Sequence, residues 1–196
     1  LTLVSNIQLQ AIFLPHDFSD DFESGRLSKL GWTNNPGTTP WFVQTNEVSS
    51  GLYAVRSGLI GNSSTSSLAL TTTFRDGPGS FAFRVSSEPY AWRDYFTFLI
   101  DGVAQTNVWG ESGWQKYSFW LGAGTHKLEW QYRKDATFAG GLDGAFVDEV
   151  ELPIVVPKTN STPALLSRFD TSSGNPELRL RGQTNQVYLI QGSTDL

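Results

Sequence analysis

The chain has 196 residues, 17% of them charged, 39% hydrophobic and 13% aromatic, with 19 glycines and a formal net charge of -5. That length suffices for one β-sandwich core with chain left over at both ends, and sparse charge with Gly, Ser and Thr between apolar runs is the profile of strands joined by turns. An acidic balance with no Lys/Arg run excludes a nucleic-acid surface; the lack of cysteine excludes disulfides, thiolate zinc sites and a Cys nucleophile; no apolar run is long enough for membrane insertion.

The opening stretch "LTLVSNIQLQAIFLP" has no basic leader and alternates too much for a signal peptide, so it reads as an internal cut from a longer polypeptide. Ile7, Leu9 and Ala11 alternate with Gln8, Gln10 and Ile12 until Pro15 stops the pattern, which makes residues 1–16 a free strand or the end of a preceding β-repeat. From residue 17 to 153 the sequence predicts an all-β, antiparallel jelly-roll sandwich, with extra strands at both ends of the chain. "SFAFRV" puts Phe81, Phe83 and Val85 on one face, "YFTFLI" runs into the hairpin dipeptide Asp101-Gly102, and "WQKYSFWL" ends in "GAGT". "HKLEWQY" turns Leu128, Trp130 and Tyr132 inward, and "AFVDEVEL" closes the set; Phe81, Phe83, Phe96, Phe98, Phe119, Leu128 and Trp130 form the expected core. Residues 154–166, with the Pro/Ser/Thr stretch that begins "VPKTNSTPA", read as a linker, and 167–196, with "PELRLRG" and "QVYLIQGSTDL", as the start of a small C-terminal β-module.

If successive strands run antiparallel, parity alone follows the chain from one rim of the sandwich to the other. The strand ending at Ser86 reaches one rim, here the near rim, and Asp101-Gly102 and "GAGT" turn on the far one. "SSEPYAWRDY", "GESG" and "KDATFAGGLDG" then meet on the near rim and gather Glu88, Asp94, Glu111, Asp135 and Asp143. Clustered carboxylates repel, and a hard cation with oxygen ligands, calcium above all, relieves them; Glu88, Asp94, Asp135 and Asp143 are therefore candidate metal or ligand contacts. The competing reading makes them turn residues, neutralised by Arg93, Arg133 and Lys134.

A second acidic group, Asp17, Asp20, Asp21 and Glu23, opens the sandwich, and pairing of its first and last strands would set it against Asp148. Alternation puts Asp148 on the face of Phe146 and Val150; if that face is core, hydrogen bonds or a cation must satisfy the buried carboxylate. Tyr90, Trp92 and Phe138 lie in near-rim loops, where an aromatic either stacks on a sugar or protein partner or folds back to cap the core. Catalysis has little support. His16 and His126 have no neighbouring nucleophile and acid, and "DEVE" at 148–151 lacks the acid that a jelly-roll glycosidase would carry at Val147. Asn62-Ser63-Ser64 and Asn160-Ser161-Thr162 match the glycosylation acceptor pattern, which recurs by chance in a Ser/Thr-rich chain.

"DFESG", "GWTNNPGTTPWFV", "SSGLYAVRSGLIGNSSTSSLAL", "FRVSSE", "DYFTFLIDGV", "GWQKYSFWLGAGTHKLEWQYRKD" and "DGAFVDEVEL" together resemble the jelly-roll modules of secreted bacterial surface proteins, relatives of MAM and cleaved-adhesin domains. The first residues look like the closing strands of an internalin-type repeat, and "LRLRGQTNQVYLIQGSTDL" like the start of a small β-module. The resemblance implies a non-catalytic, secreted or cell-surface module for adhesion, carbohydrate or protein binding, often with structural calcium. Its weight moves the expected metal ligands to Asp21, Glu23 and Asp148. Two other functions stay open: a structural subunit whose end strands, "IQLQAIFL" and "QVYLIQG", pair head to tail into an extracellular filament, and a glycan-active enzyme.

Overall fold

A computed structural model describes residues 18–34, 39–155, 165–170 and 177–181. The compact unit Asp17–Val155 is a two-sheet antiparallel sandwich. Its strands are β1 (Phe18–Asp20), β2 (Trp32–Asn34), β3 (Phe42–Gln44), β4 (Ala54–Arg56), β5 (Thr65–Phe74), β6 (Gly77–Ser86), β7 (Tyr95–Ile100), β8 (Val103–Trp109), β9 (Gln115–Leu121), β10 (Gly124–Arg133) and β11 (Gly144–Leu152). One sheet runs β3-β4-β11-β6-β9, with β1 also on β11; the other runs β2-β5-β10-β7-β8. In a second unit, Leu165–Asp170 (β12) and Glu177–Arg181 (β13) form an antiparallel hairpin. The sequence had "PELRLRG" as a strand but Leu165 and Leu166 inside the linker; both in fact open the partner strand. The expectations for residues 1–16, for "QVYLIQG" and for Asn160 lie outside the described residues.

The core forms because the inward positions of facing strands are almost all large and apolar. Phe81, Phe83 and Val85 of β6 meet Phe96 and Phe98 of β7 and Leu128, Trp130 and Tyr132 of β10, all buried. Phe81 is central: its ring centroid is 4.8 Å from that of Phe98 and 5.6 Å from that of Trp130, both edge-on, the arrangement that aromatic quadrupoles prefer. Phe119 departs from the expectation. It sits on edge strand β9, and packs against the core from a half-buried position. Asp101 and Gly102 have φ of 50° and 80°, the left-handed pair that a two-residue hairpin with matching twist demands.

Strand β11 breaks the simple alternation read from "AFVDEVEL". Its register against β6 shifts between Asp148 and Glu151, and Glu149 has φ of 50°, so a bulge inserts one residue. Ala145 and Val147 face the core before the bulge, Val150 and Leu152 after it. Asp148 therefore shares a side with Phe146 but not with Val150, and that side is the outer face of the sheet, where the Arg56 and Arg84 guanidinium groups lie 5.4 and 6.0 Å from the Phe146 ring centroid.

Candidate functional site

Three loops meet at one end of the sandwich: 87–94 between β6 and β7, 110–114 between β8 and β9, and 134–143 between β10 and β11. The Ser86 and Glu111 backbones form a bridge, and the Ser87 N–H donates to the Gly110 carbonyl at 3.1 Å. The Ser87 hydroxyl donates to the Asp94 carbonyl at 2.9 Å and accepts from the Gly110 N–H at 3.0 Å, so one buried side chain closes the first loop and fastens it to the second. The third loop docks as closely. A Cβ added to Gly140 would stand 2.8 Å from the Glu88 Cα, a gap that only glycine leaves open.

These contacts bring Glu88, Asp94 and Asp135 together, with one carboxylate oxygen of each within 4.8 Å of the others. Glu88 and Asp94 are buried; Asp135 is partly so. Asp94 Oδ1 accepts the Asp135 N–H at 2.9 Å, and its Oδ2 has no hydrogen bond but faces the Lys134 ammonium at 3.6 Å. Asp135 Oδ1 accepts from the Thr137 N–H at 2.7 Å and its hydroxyl at 2.8 Å. Glu88 Oε2 is 3.9 Å from Arg93 Nη1, while its Oε1 is buried without any hydrogen-bond partner. Asp143 stands beside this group, joined to it through Lys134, and its Oδ1 accepts the Tyr132 hydroxyl at 3.0 Å. Glu111 is the member that stays apart: it accepts the Ser86 hydroxyl at 2.6 Å and faces Arg84 at 3.7 Å.

Burial holds the Glu88 carboxyl above the usual carboxylate range, and the Asp94 charge pushes the same way. Burial raises Asp94 also, against the Asp135 N–H and the Lys134 charge; the hydrogen bonds from Thr137 hold Asp135 below the usual range. A carboxyl raised on folding penalises the folded state once pH climbs past its ordinary value, because the folded chain must then ionise it at a cost. Glu88→Gln is accordingly expected to raise the Tm at pH 7 in the presence of chelator, with the gain shrinking to nothing below about pH 4. Calorimetric scans at the two pH values check this, and a variant less stable than the parent at pH 7 would contradict it.

The aromatic side chains of the first loop do not cap the core. Tyr90 and Trp92 are 59% and 62% exposed, and Phe138 of the third loop is 77% exposed. Trp92, at φ of 65°, packs against Tyr95 and Trp109 with ring centroids 5.8 and 5.6 Å away. The Arg93 guanidinium lies 4.9 Å from the Tyr90 ring centroid, and its Nη1 is 3.4 Å from the Thr137 hydroxyl. The near rim thus presents exposed aromatic rings beside a largely buried acidic cluster.

Asp21, Glu23 and Asp148, the ligands expected from the resemblance, have other partners and do not converge as the near-rim acids do. Exposed Asp21 faces Lys29 at 3.3 Å. Glu23 Oε1 accepts the Leu52 and Tyr53 N–H groups, both at 2.9 Å. Asp148 accepts three N–H groups, from Ser49 at 3.0 Å, Ser50 at 3.2 Å and Glu149 at 2.8 Å, which satisfy the buried carboxylate by hydrogen bonding. Each of the three carboxylates is thus engaged within the fold, and among the described residues the acids whose oxygens converge are Glu88, Asp94 and Asp135 instead. Asp20 matters here more than its neighbours. It is fully buried and accepts from Trp32 Nε1 at 2.7 Å and the Phe22 N–H at 2.9 Å, tying β1 to β2 across the sheets.

Lys134 is more than one of several cations near the acidic loops. One further step of the alternation through Leu128, Trp130 and Tyr132 puts it on the inward side, where the structure buries it. Asn62 of the first acceptor pattern donates its amide at 3.2 Å to the Ala136 carbonyl, and His126 Nδ1 is 2.6 Å from Asp101 Oδ2 at the far turn.

No protein-family model matches the sequence, and no curated protein matches it. Among solved structures, the secreted serine protease VesC from Vibrio cholerae is matched over 60% of this chain at 12% identity and a TM-score of 0.46; the chain spans only 25% of that protein. The K2 cleaved adhesin domain of Lys-gingipain is 14% identical with a TM-score of 0.50, over 71% of this chain and 99% of that one. The K1 cleaved adhesin domain of Lys-gingipain from Porphyromonas gingivalis W83 is 16% identical with a TM-score of 0.50, over 70% and 98% of the two chains. At such identities the likeness speaks for fold alone: the chain carries an antiparallel β-sandwich of the kind seen in cleaved adhesin domains.

Proposed function

We propose that this chain is an extracellular, non-catalytic binding module that takes carbohydrate at its near rim. The observation that carries the reading is the pair of exposed rings, Tyr90 and Trp92, on a loop whose backbone is pinned by Ser87. Solvent-facing aromatic rings held by a rigid frame lose little entropy on binding and offer flat apolar faces to the C–H side of a sugar ring. Arg93 and the loop backbone beside the rings suit the hydroxyl groups of the same ligand. Calcium belongs to this reading as the hard cation that carboxylate oxygens accept. Function as one part of a larger secreted or surface protein, with MAM-like relatives and β-rich flanking modules, is the remainder of the proposal.

A protein ligand at the same rings is the second reading, and the exposed Phe138 favours it, since a large apolar side chain at a loop tip suits a protein hot spot. A glycan array probed with the 196-residue chain separates the two. Saturable binding to a defined glycan class supports the carbohydrate reading; no glycan bound at high concentration would remove it. The filament alternative depends on end strands outside the described residues, and size measurement with and without residues 1–14 addresses it.

A further inference from the structure

We infer that Glu88, Asp94 and Asp135 form a divalent-cation site that locks the Tyr90–Trp92 loop in its binding shape. Oxygens that share one calcium at 2.3–2.6 Å can stand at most about 5 Å from one another, and the three carboxylates meet that condition as folded. Acidity alone does not carry the inference. Glu88 Oε1 is a second, separate observation: a buried carboxylate oxygen with no hydrogen-bond partner, in a residue only 3% exposed, costs free energy unless something positive meets it. The nearby cations do not fill that role. Arg93 approaches the other oxygen of Glu88, and Lys134 is drawn to Asp143 and Asp94. Of the cations that face these acids at ion-pair distance, Lys134 is shared between Asp94 and Asp143 and Arg93 faces Glu88, so the three convergent carboxylates outnumber the cations paired with them.

The placement gives the ion a task. Glu88 and Asp94 flank Tyr90 and Trp92 in sequence, one on each side of the loop, and Asp135 opens the 134–143 loop. A cation bound to all three draws both ends of the aromatic loop onto its neighbour and fixes the angle at which the rings face solvent. The effect on a glycan rests on the function proposed above; cation binding itself does not.

Calcium titration calorimetry on the chain at pH 7, repeated with Glu88→Gln and with Asp135→Asn, tests the site. One calcium per chain is expected, with affinity at least tenfold weaker in each variant. Terbium substituted for calcium should luminesce on tryptophan excitation, and Trp92→Ala should dim that emission while calcium affinity stays within twofold. No binding up to millimolar calcium, or unchanged affinity in both carboxylate variants, would overturn the inference. A chain that binds calcium through Glu88 and Asp135 but no glycan would retain the site and refute the carbohydrate reading instead.

Discussion

Phe81→Ala is expected to cost about 3–5 kcal/mol, the range for truncating a fully buried aromatic side chain. Phe81 is 0% exposed, and its ring lies within 6.4 Å, centroid to centroid, of Phe83, Phe96, Phe98, Tyr117, Phe119 and Trp130, so it joins β6 and β9 of one sheet to β7 and β10 of the other. These rings interlock and cannot collapse into the space left behind without giving up their edge-to-face geometry. Domains of this kind hold only about 5–15 kcal/mol in total. The Tm should fall by roughly 6–20 °C at the usual slope for a chain of this length, or the chain should fail to fold. A calorimetric Tm within 3 °C of the parent would show that Phe81 does not hold the two sheets together.

Trp92→Ala should have the opposite profile, with little change in stability and a large loss of binding. Its ring touches Tyr95 and Trp109 only along one side and is mostly in solvent, so truncation removes little buried area from the fold. As an anchor for a ligand it should be worth at least about 2 kcal/mol, which is roughly thirtyfold in Kd. Tyr90→Ala should act in the same direction and more weakly, because the Arg93 guanidinium already occupies one face of its ring. Affinity for the best array glycan, measured beside the Tm for each variant, separates these effects. Full affinity in both variants would move the ligand away from the near rim.

Much of this was legible because strand periodicity is local and strand direction is additive. The alternation in "SFAFRV" and "HKLEWQY" placed Phe81, Phe83, Leu128, Trp130 and Tyr132 inward with no knowledge of their partners. Asp101-Gly102 announced its turn through the left-handed backbone that it must adopt. Counting strand reversals brought the loops after Ser86, Trp109 and Arg133 to one rim, and Glu88, Asp94 and Asp135 do meet there. The bulge at Glu149 was not legible, because a single extra residue leaves no compositional mark and yet moves Val150 to the opposite face. Nor was the fate of the "DDFESG" acids. Whether a carboxylate meets a backbone N–H or a cation depends on which loop lies beside it, and the Leu52 and Tyr53 N–H groups that meet Glu23 come from a later loop of the chain. Lys134 could have been found from parity. The exposure of Trp92 could not, because its φ of 65° is a property of the packed loop and not of the tryptophan.

The proposed function puts ligand recognition on the rim formed by residues 87–94, 110–114 and 134–143. Backbone amide NMR spectra recorded during titration with the best array glycan, in calcium, test that placement directly. Shifts concentrated at Tyr90, Trp92, Arg93 and Thr137–Leu142, and weakened when calcium is chelated, are the predicted result. Shifts centred on the far turn at Asp101-Gly102, or on the outer face around Phe42 and Phe146, would contradict it.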